Sequence, residues 1–239
     1  MTLAVFPSNV RGLAYPVDKT PEFNTVSQKA PNLAETTIAQ TYNPVWNWEL
    51  TYEFVFDDPD NLLSGETYPD YRLLQGFLLK QGGKAFPFLY SDPTDNTVGP
   101  ALIAGAPNPQ AELQLVNDGA GNYYSPIQRN FGGQFYEDIT DLDGSIAVYA
   151  NGVLKTPVTD YTIVGPGLAL PGSSYMGLAI KWVAMPTGPI TAQFAFFFRV
   201  RTEDKQGFSQ FLSKFWTAGG GDAGTSTYLT LKSARPVQV

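Results

Sequence analysis

Trp48-Glu49-Leu50-Thr51-Tyr52-Glu53-Phe54-Val55-Phe56 decides the fold class of this chain. Its large apolar residues Trp48, Leu50, Tyr52, Phe54 and Phe56 fall on every second position, with Glu49, Thr51 and Glu53 between them. Successive side chains of an extended chain point to opposite sides, so this period of two predicts a strand with one buried and one wet face. The run closes at Asp57-Asp58-Pro59-Asp60, where proline fixes the backbone and aspartates accept local hydrogen bonds, the chemistry of a turn. Upstream, Ala34 to Tyr42 is rich in Thr and bracketed by Pro31 and Pro44. It reads as a preceding strand that pairs with the first as a hairpin or meander.

Downstream the period changes. Leu73, Leu74, Phe77 and Leu78 form one stripe of a helix, which predicts an amphipathic helix over 70–81. Asp70 is its expected N-cap, and Gly82-Gly83 supplies the left-handed residue that ends it. Ala85 to Tyr90 is then an aromatic extended run with Pro87 marking an edge or strand end, closed by a second turn at Ser91-Asp92-Pro93-Thr94-Asp95-Asn96. Beyond Pro100 the chain becomes a Gly-, Pro-, Asn- and Ala-rich connector into a second module. Short strands are expected there at 113–116, 146–149, 160–164, 177–184 and 190–200. Asn151-Gly152 between Val148-Tyr149 and Val153-Leu154 is a hairpin signal. Phe194 to Val200 is continuously apolar up to Arg199, which predicts burial on both faces. Phe208, Phe211, Leu212, Phe215 and Trp216 recur at helical spacing, so a second short helix is expected after an N-cap at Thr202, stopped by Gly219-Gly220-Gly221. Thr227 to Leu231 alternates as a closing strand.

Composition agrees with a mainly-β chain. Among 239 residues, 43% are hydrophobic and 14% aromatic, ample for a core, while only 15% are charged, and Gly 23 with Pro 19 supplies many turns. Cysteine and histidine are both absent, which removes disulfides, thiolate nucleophiles, Cys/His zinc sites and imidazole acid–base catalysis. Neither a secretion signal nor a spanning helix is expected from the apolar runs. Fifteen basic against 22 acidic residues give a net charge of -7, which disfavours capture of nucleic acid by its phosphates.

Carboxylates are the remaining material for catalysis: Asp57-Asp58-Asp60, Asp92 with Asp95, Glu137-Asp138 with Asp141 and Asp143, and Glu203-Asp204. A glycoside hydrolase would need two of them beside aromatic platforms, and replacing Asp57, Asp92 and Glu137 would test it. Their positions beside prolines and at a helix start favour turn and capping roles. Asp141-Leu142-Asp143-Gly144 is a fragment of a calcium loop and reads as a turn. Gly165-Pro166-Gly167 lacks the donor amides of a phosphate loop. Trp46, Trp48 and Trp182 sit at strand spacing and read as core. Arg199 and Arg201, alternating along one strand, read as solvated or interface charges. No catalytic, cofactor-binding or metal-ligating residue is assigned, no cofactor is implied, and the chain is read as a non-enzyme.

The order of features carries a resemblance. Val5-Phe6-Pro7, Pro21-Glu22-Phe23-Asn24-Thr25, the strand Trp48 to Phe56, a helix with Phe77, and Phe86-Pro87-Phe88 leading into Asp92-Pro93 come first. Val148-Tyr149-Ala150-Asn151-Gly152, Asp160-Tyr161-Thr162-Ile163, the proline turn from Pro186 to Pro189 and Phe196-Phe197-Phe198-Arg199-Val200-Arg201 follow. Together they resemble the distal tail protein family of phages and gene transfer agents. The resemblance implies a virion protein of the phage tail, assembled in the bacterial host cytoplasm, that forms a homo-hexameric ring joining the end of the tail tube to the hub, baseplate or tail tip. It implies as partners the tail tube protein, hub or baseplate proteins and the tape measure protein, with no specific nucleic-acid binding and no membrane anchor. It further implies a β-sandwich tail-hub-type domain with one or two short helices, built from residues 1–99 and completed by 192–239, with a smaller inserted β module at 100–191. DNA passing a lumen lined by an acidic chain would be repelled rather than held. The alternative is a carbohydrate-binding β module of a receptor-binding tail protein.

Overall fold

The computed structural model describes residues 3–23, 25–29, 35–39, 44–53, 55–58, 60, 62, 64–83, 85–99, 112–165, 175, 177–202 and 227–234. The chain is mainly β, with antiparallel sheets and one helix among these residues. It divides into two units, the first from 1–90 with 199–235 and the second from 91–198 with 236–239.

The first unit contains β1 (Asp18–Glu22), β2 (Thr25–Lys29), β3 (Glu35–Ala39), β4 (Val45–Tyr52), α1 (Asp70–Gln81) and β5 (Phe88–Tyr90). The second contains β6 (Thr97–Val98), β7 (Glu112–Leu113), β8 (Val116–Asn117), β9 (Tyr123–Pro126), β10 (Gln128–Phe131), β11 (Phe135–Asp138), β12 (Asp141–Ala150), β13 (Val153–Leu154), β14 (Tyr161–Val164) and β15 (Ala179–Trp182). Strand β16 (Ile190–Thr202) belongs to the second unit up to 198 and to the first from 199, where β17 (Thr227–Ser233) joins it.

In the first unit β4 lies between β1 and β17, and β17 pairs with the end of β16, all antiparallel. The alternation predicted around Trp48 is present within β4, where Trp48, Leu50 and Tyr52 are buried while Glu49 is exposed; the strand expected to run on to Phe56 ends at Tyr52, and Val55 and Phe56 lie beyond it half-buried, with Arg11 over the Phe56 ring. Leu229, Leu231 and Val200 bury their side chains from β17 and β16, consistent with the expected closing strand at 227–231. An aromatic cluster ties the helix in. Phe77 stands edge-on to Phe6 at 5.5 Å and to Phe88 at 5.1 Å, and Tyr90 meets Trp48 at 5.7 Å. Helix α1 occupies the predicted 70–81, burying Leu74 and Leu78, and Gly82 ends it in the left-handed region at φ 61°.

Three expectations need correction, two in this unit and one along β16. Asp70 is the first helical residue, not the N-cap, which is Pro69; its buried carboxylate accepts instead from Arg11 Nε at 2.6 Å. The strand expected over 34–42 exists as β3, yet it pairs with β2 and not with β4. β4 instead has β1 and β17 as neighbours, and Leu229 and Leu231 of β17 extend its buried face. Strand β16 alternates buried and half-buried residues along its whole length, so Phe194, Phe196 and Phe198 face inward while Phe197 does not. Continuous burial on both faces does not occur. The second helix expected over 208–216 lies outside the described residues.

In the second unit β16 pairs with β12, β6 and β7. β12 turns into β13 through Asn151-Gly152, whose φ angles of 51° and 76° are those of the mirror-image turn the dipeptide favours. A four-stranded sheet runs β14-β15-β9-β8, and β10 with β11 forms a separate ribbon. The single strand expected over 113–116 is two short ones, β7 and β8, and β9 to β11 were not anticipated. Asp141 to Gly144 is not a turn: it starts β12, and the register slips between Asp143 and Ala147 as a bulge, with Gly144 at φ 84°.

Backbone bonds hold the ribbon to the four-stranded sheet. Ile127 N–H donates to Leu178 O at 2.8 Å, Leu178 N–H to Ile139 O at 2.7 Å, and Ile139 N–H to Ile127 O at 3.0 Å. Gly177 sits against this knot, where a Cβ would lie 2.7 Å from Ile139 O and 2.8 Å from the Tyr175 hydroxyl. Gly177→Ala is therefore expected to lower stability by about 1–3 kcal/mol through overpacking. Gly165→Ala, with nothing within 4 Å of its Cβ, serves as the control that changes little. A thermal melt showing no difference between the two would contradict this packing.

Candidate functional site

Among the described residues, the acidic clusters singled out in the sequence are tied to local structure. Asp58 Oδ1 accepts from Asp60 N–H at 2.9 Å, and Asp57 pairs with Arg72 at 3.0 Å on the surface. Asp92 is fully buried, and its Oδ1 accepts from Thr94 N–H at 2.9 Å and Thr94 Oγ1 at 2.7 Å. Both are the Asx turns that proline and aspartate predicted. Asp138 accepts from Gln128 Nε2 at 2.7 Å and Asp141 from Thr140 Oγ1 at 2.7 Å. Glu203 and Asp204 lie outside the described residues.

Asp95 and Glu137, from two different clusters, are brought together by a residue the sequence reading missed. Arg129 on β10 is buried, and its guanidinium bonds Glu137 through Nε and Asp95 through Nη1. The same group lies over Phe131 at 4.7 Å, Phe198 at 5.3 Å and Phe196 at 5.4 Å. One guanidinium bridging two carboxylates from separate segments, in an aromatic setting, makes a structural strut.

The indoles also serve packing. Trp48 is buried, and Trp182 is buried with its Nε1–H donating to Ser125 Oγ at 3.0 Å. Trp46 is half-buried with the Lys19 ammonium 4.6 Å from its ring centre. Burial raises the phenols of Tyr52 and Tyr175, and the Tyr175 hydroxyl accepts from Ile127 N–H at 3.1 Å. Both therefore stay neutral across the physiological range. Asp118 has its carboxyl lowered, chiefly by the Asn122 side chain that donates to it, within the tight loop between β8 and β9. Among the described residues no group of three or more acidic, His or Cys side chains is placed to hold a metal ion, and no helix is long and apolar enough to cross a membrane.

What the molecule does display is apolar surface. In the first unit every described side chain of the β2–β3 hairpin is exposed, and so are Leu79 and Phe86 at the end of α1. In the second unit Val153, Leu154, Val158, Val183 and Met185 are exposed. Val158 and Val183 come from turns that are bonded to each other: Val183 N–H donates to Asp160 O, and Asp160 N–H to Thr156 O. Val158 is 80% exposed and carries a left-handed φ of 71°, a conformation that costs a β-branched residue about 1–2 kcal/mol.

No protein-family model matches the chain, and no curated protein matches it in sequence.

Proposed function

We propose that this chain is a structural subunit of a phage or phage-like tail. Six copies close into a ring at the distal end of the tail tube and join it to the hub, baseplate or tail tip. The observation that carries the reading is a contrast within the chain. The acids Asp58, Asp92 and Glu137 are engaged in turns and an ion pair, whereas apolar side chains beyond those of the core, among them Ile38, Leu79, Phe86 and Val158, stand out in solvent. Surfaces of that kind are for covering by protein, and a head-to-tail contact whose rotation closes gives a ring. The resemblance of the order of its short motifs to the distal tail protein family suggests the place of that ring. The exposed apolar side chains of Val158, Val183 and Met185 offer the hub or tube proteins a face on the second unit.

Light scattering on the purified chain in near-physiological salt tests the reading. The expected mass is six times that of the subunit. A monomer at all accessible concentrations contradicts it, and a monomer or trimer that retains glycan on an array would favour the carbohydrate-binding alternative.

A further inference from the structure

We infer that Asn151-Gly152 is a latent site of self-modification, in which the Gly152 backbone nitrogen attacks the Asn151 side-chain amide, and that the β12–β13 turn packed on Gly188 holds the reaction off.

Two adjacent residues supply the chemistry. The Gly152 nitrogen bonds to Asn151 Cγ, the side-chain nitrogen leaves as ammonia with the proton that the Gly152 nitrogen gives up, and a cyclic imide closes. Water then opens the ring at either carbonyl, giving aspartate or isoaspartate, in which the main chain runs through the former side chain. Glycine favours the attack because it sets no Cβ beside the nucleophile. Asn151 is the only asparagine of the chain that is followed by glycine, and both residues are exposed to the water that completes the reaction.

The fold opposes ring closure in three ways. Asn151 and Gly152 hold φ angles of 51° and 76°. The first residue of such a mirror-image turn has ψ of about +30°, which puts the following nitrogen anti to the Asn151 Cβ, whereas the imide needs it syn. The Asn151 side chain is also seated against Gly188, where a Cβ would lie 2.8 Å from Asn151 Cβ, 2.9 Å from Oδ1 and 3.0 Å from Cγ. Gly188 itself holds φ 75°, so a side chain there is opposed by conformation as well as by space. Lastly, Asn151 N–H donates to Pro189 O at 2.9 Å, and Ala150 pairs with Val153 of β13 on one side and Ile190 of β16 on the other. The restraint is local: β13 is two exposed residues long, so opening this turn breaks few contacts. Once modified, the turn does not re-form as it was. Isoaspartate adds a backbone carbon to a two-residue loop whose length sets the register of Tyr149 with Leu154.

The test follows the protein at mildly alkaline pH, native and unfolded in guanidinium chloride, by peptide mapping with mass spectrometry. In the unfolded chain Asn151 is expected to convert ahead of every other asparagine. In the native protein its conversion is expected to be at least about tenfold slower, the ratio reading the fraction of time the turn is open. Gly188→Ala, which sets a methyl against Asn151, is expected to raise the native rate severalfold and leave the rate in denaturant unchanged. Equal rates for native and unfolded wild type overturn the guard. An unfolded chain whose Asn151 converts no faster than its other asparagines overturns the site. A folded Gly188→Ala protein that converts at the wild-type rate overturns the role of Gly188. Should that variant misfold, wild type in guanidinium chloride below its unfolding transition decides. There Asn151 conversion is expected to accelerate while the circular dichroism is still native, and acceleration only with global unfolding overturns the local turn as the guard.

Discussion

Arg129→Ala is expected to destabilise the second unit by about 3–5 kcal/mol, because it strands Glu137 in the interior without its counter-charge. Two further losses act in the same direction. The guanidinium no longer covers Phe131, Phe196 and Phe198, and Asp95 loses its bond to the buried group. The double variant Arg129→Met with Glu137→Gln removes both charges at similar volume and is expected to recover much of the loss, since the penalty belongs to the unpaired carboxylate. Urea unfolding of the three proteins measures this. A single variant within about 1 kcal/mol of wild type would mean that the strut is not a strut. The sign of the double variant discriminates further: if it is as unstable as the single one, shape and not charge is what Arg129 supplies.

Trp48→Ala is the second large effect, about 3–5 kcal/mol, acting in the first unit. Trp48 is fully buried at the centre of β4, opposite Lys19 of β1 and Leu231 of β17, with Tyr90 edge-on to its ring. Its removal opens a cavity between the sheet and the aromatic cluster that seats α1, so helix and sheet both loosen. Trp48→Phe keeps most of the apolar volume and is expected to cost well under half as much. Circular dichroism through a thermal melt checks the order wild type, Trp48→Phe, Trp48→Ala. Equal melting temperatures for wild type and Trp48→Ala would remove Trp48 from the core.

Local periodicity made part of this fold legible. β4 and α1 were readable because their apolar residues repeat at 2 and 3.6 and their ends carry turn chemistry, and the β12–β13 hairpin because Asn-Gly encodes its turn in two residues. β1 was not readable: Asp18-Lys19-Thr20-Pro21-Glu22 has the composition of a loop and is a strand only because β4 pairs with it across the sequence. The Arg129 strut was missed for the same reason. Its partners stand 34 and 8 residues away, and no spacing links them. Gly132-Gly133 between Phe131 and Phe135 was the available signal, since both glycines take the positive φ of the turn that joins β10 to β11 and aligns Arg129 with Glu137. Phe194 to Phe198 misled because half-buried Ala195 and Phe197 are apolar too, so the alternation was hidden in composition while present in burial. Of the exposed surfaces β3, α1 and the β12–β13 hairpin were legible and β2 was not, and exposure itself depends on what the rest of the chain leaves uncovered.

The central claim is that the chain acts by closing on itself. Negative-stain images of the purified protein test it most directly. Class averages should show closed rings of six equal subunits around an open centre. Single particles of one subunit, or open chains of variable length at every concentration, would contradict it.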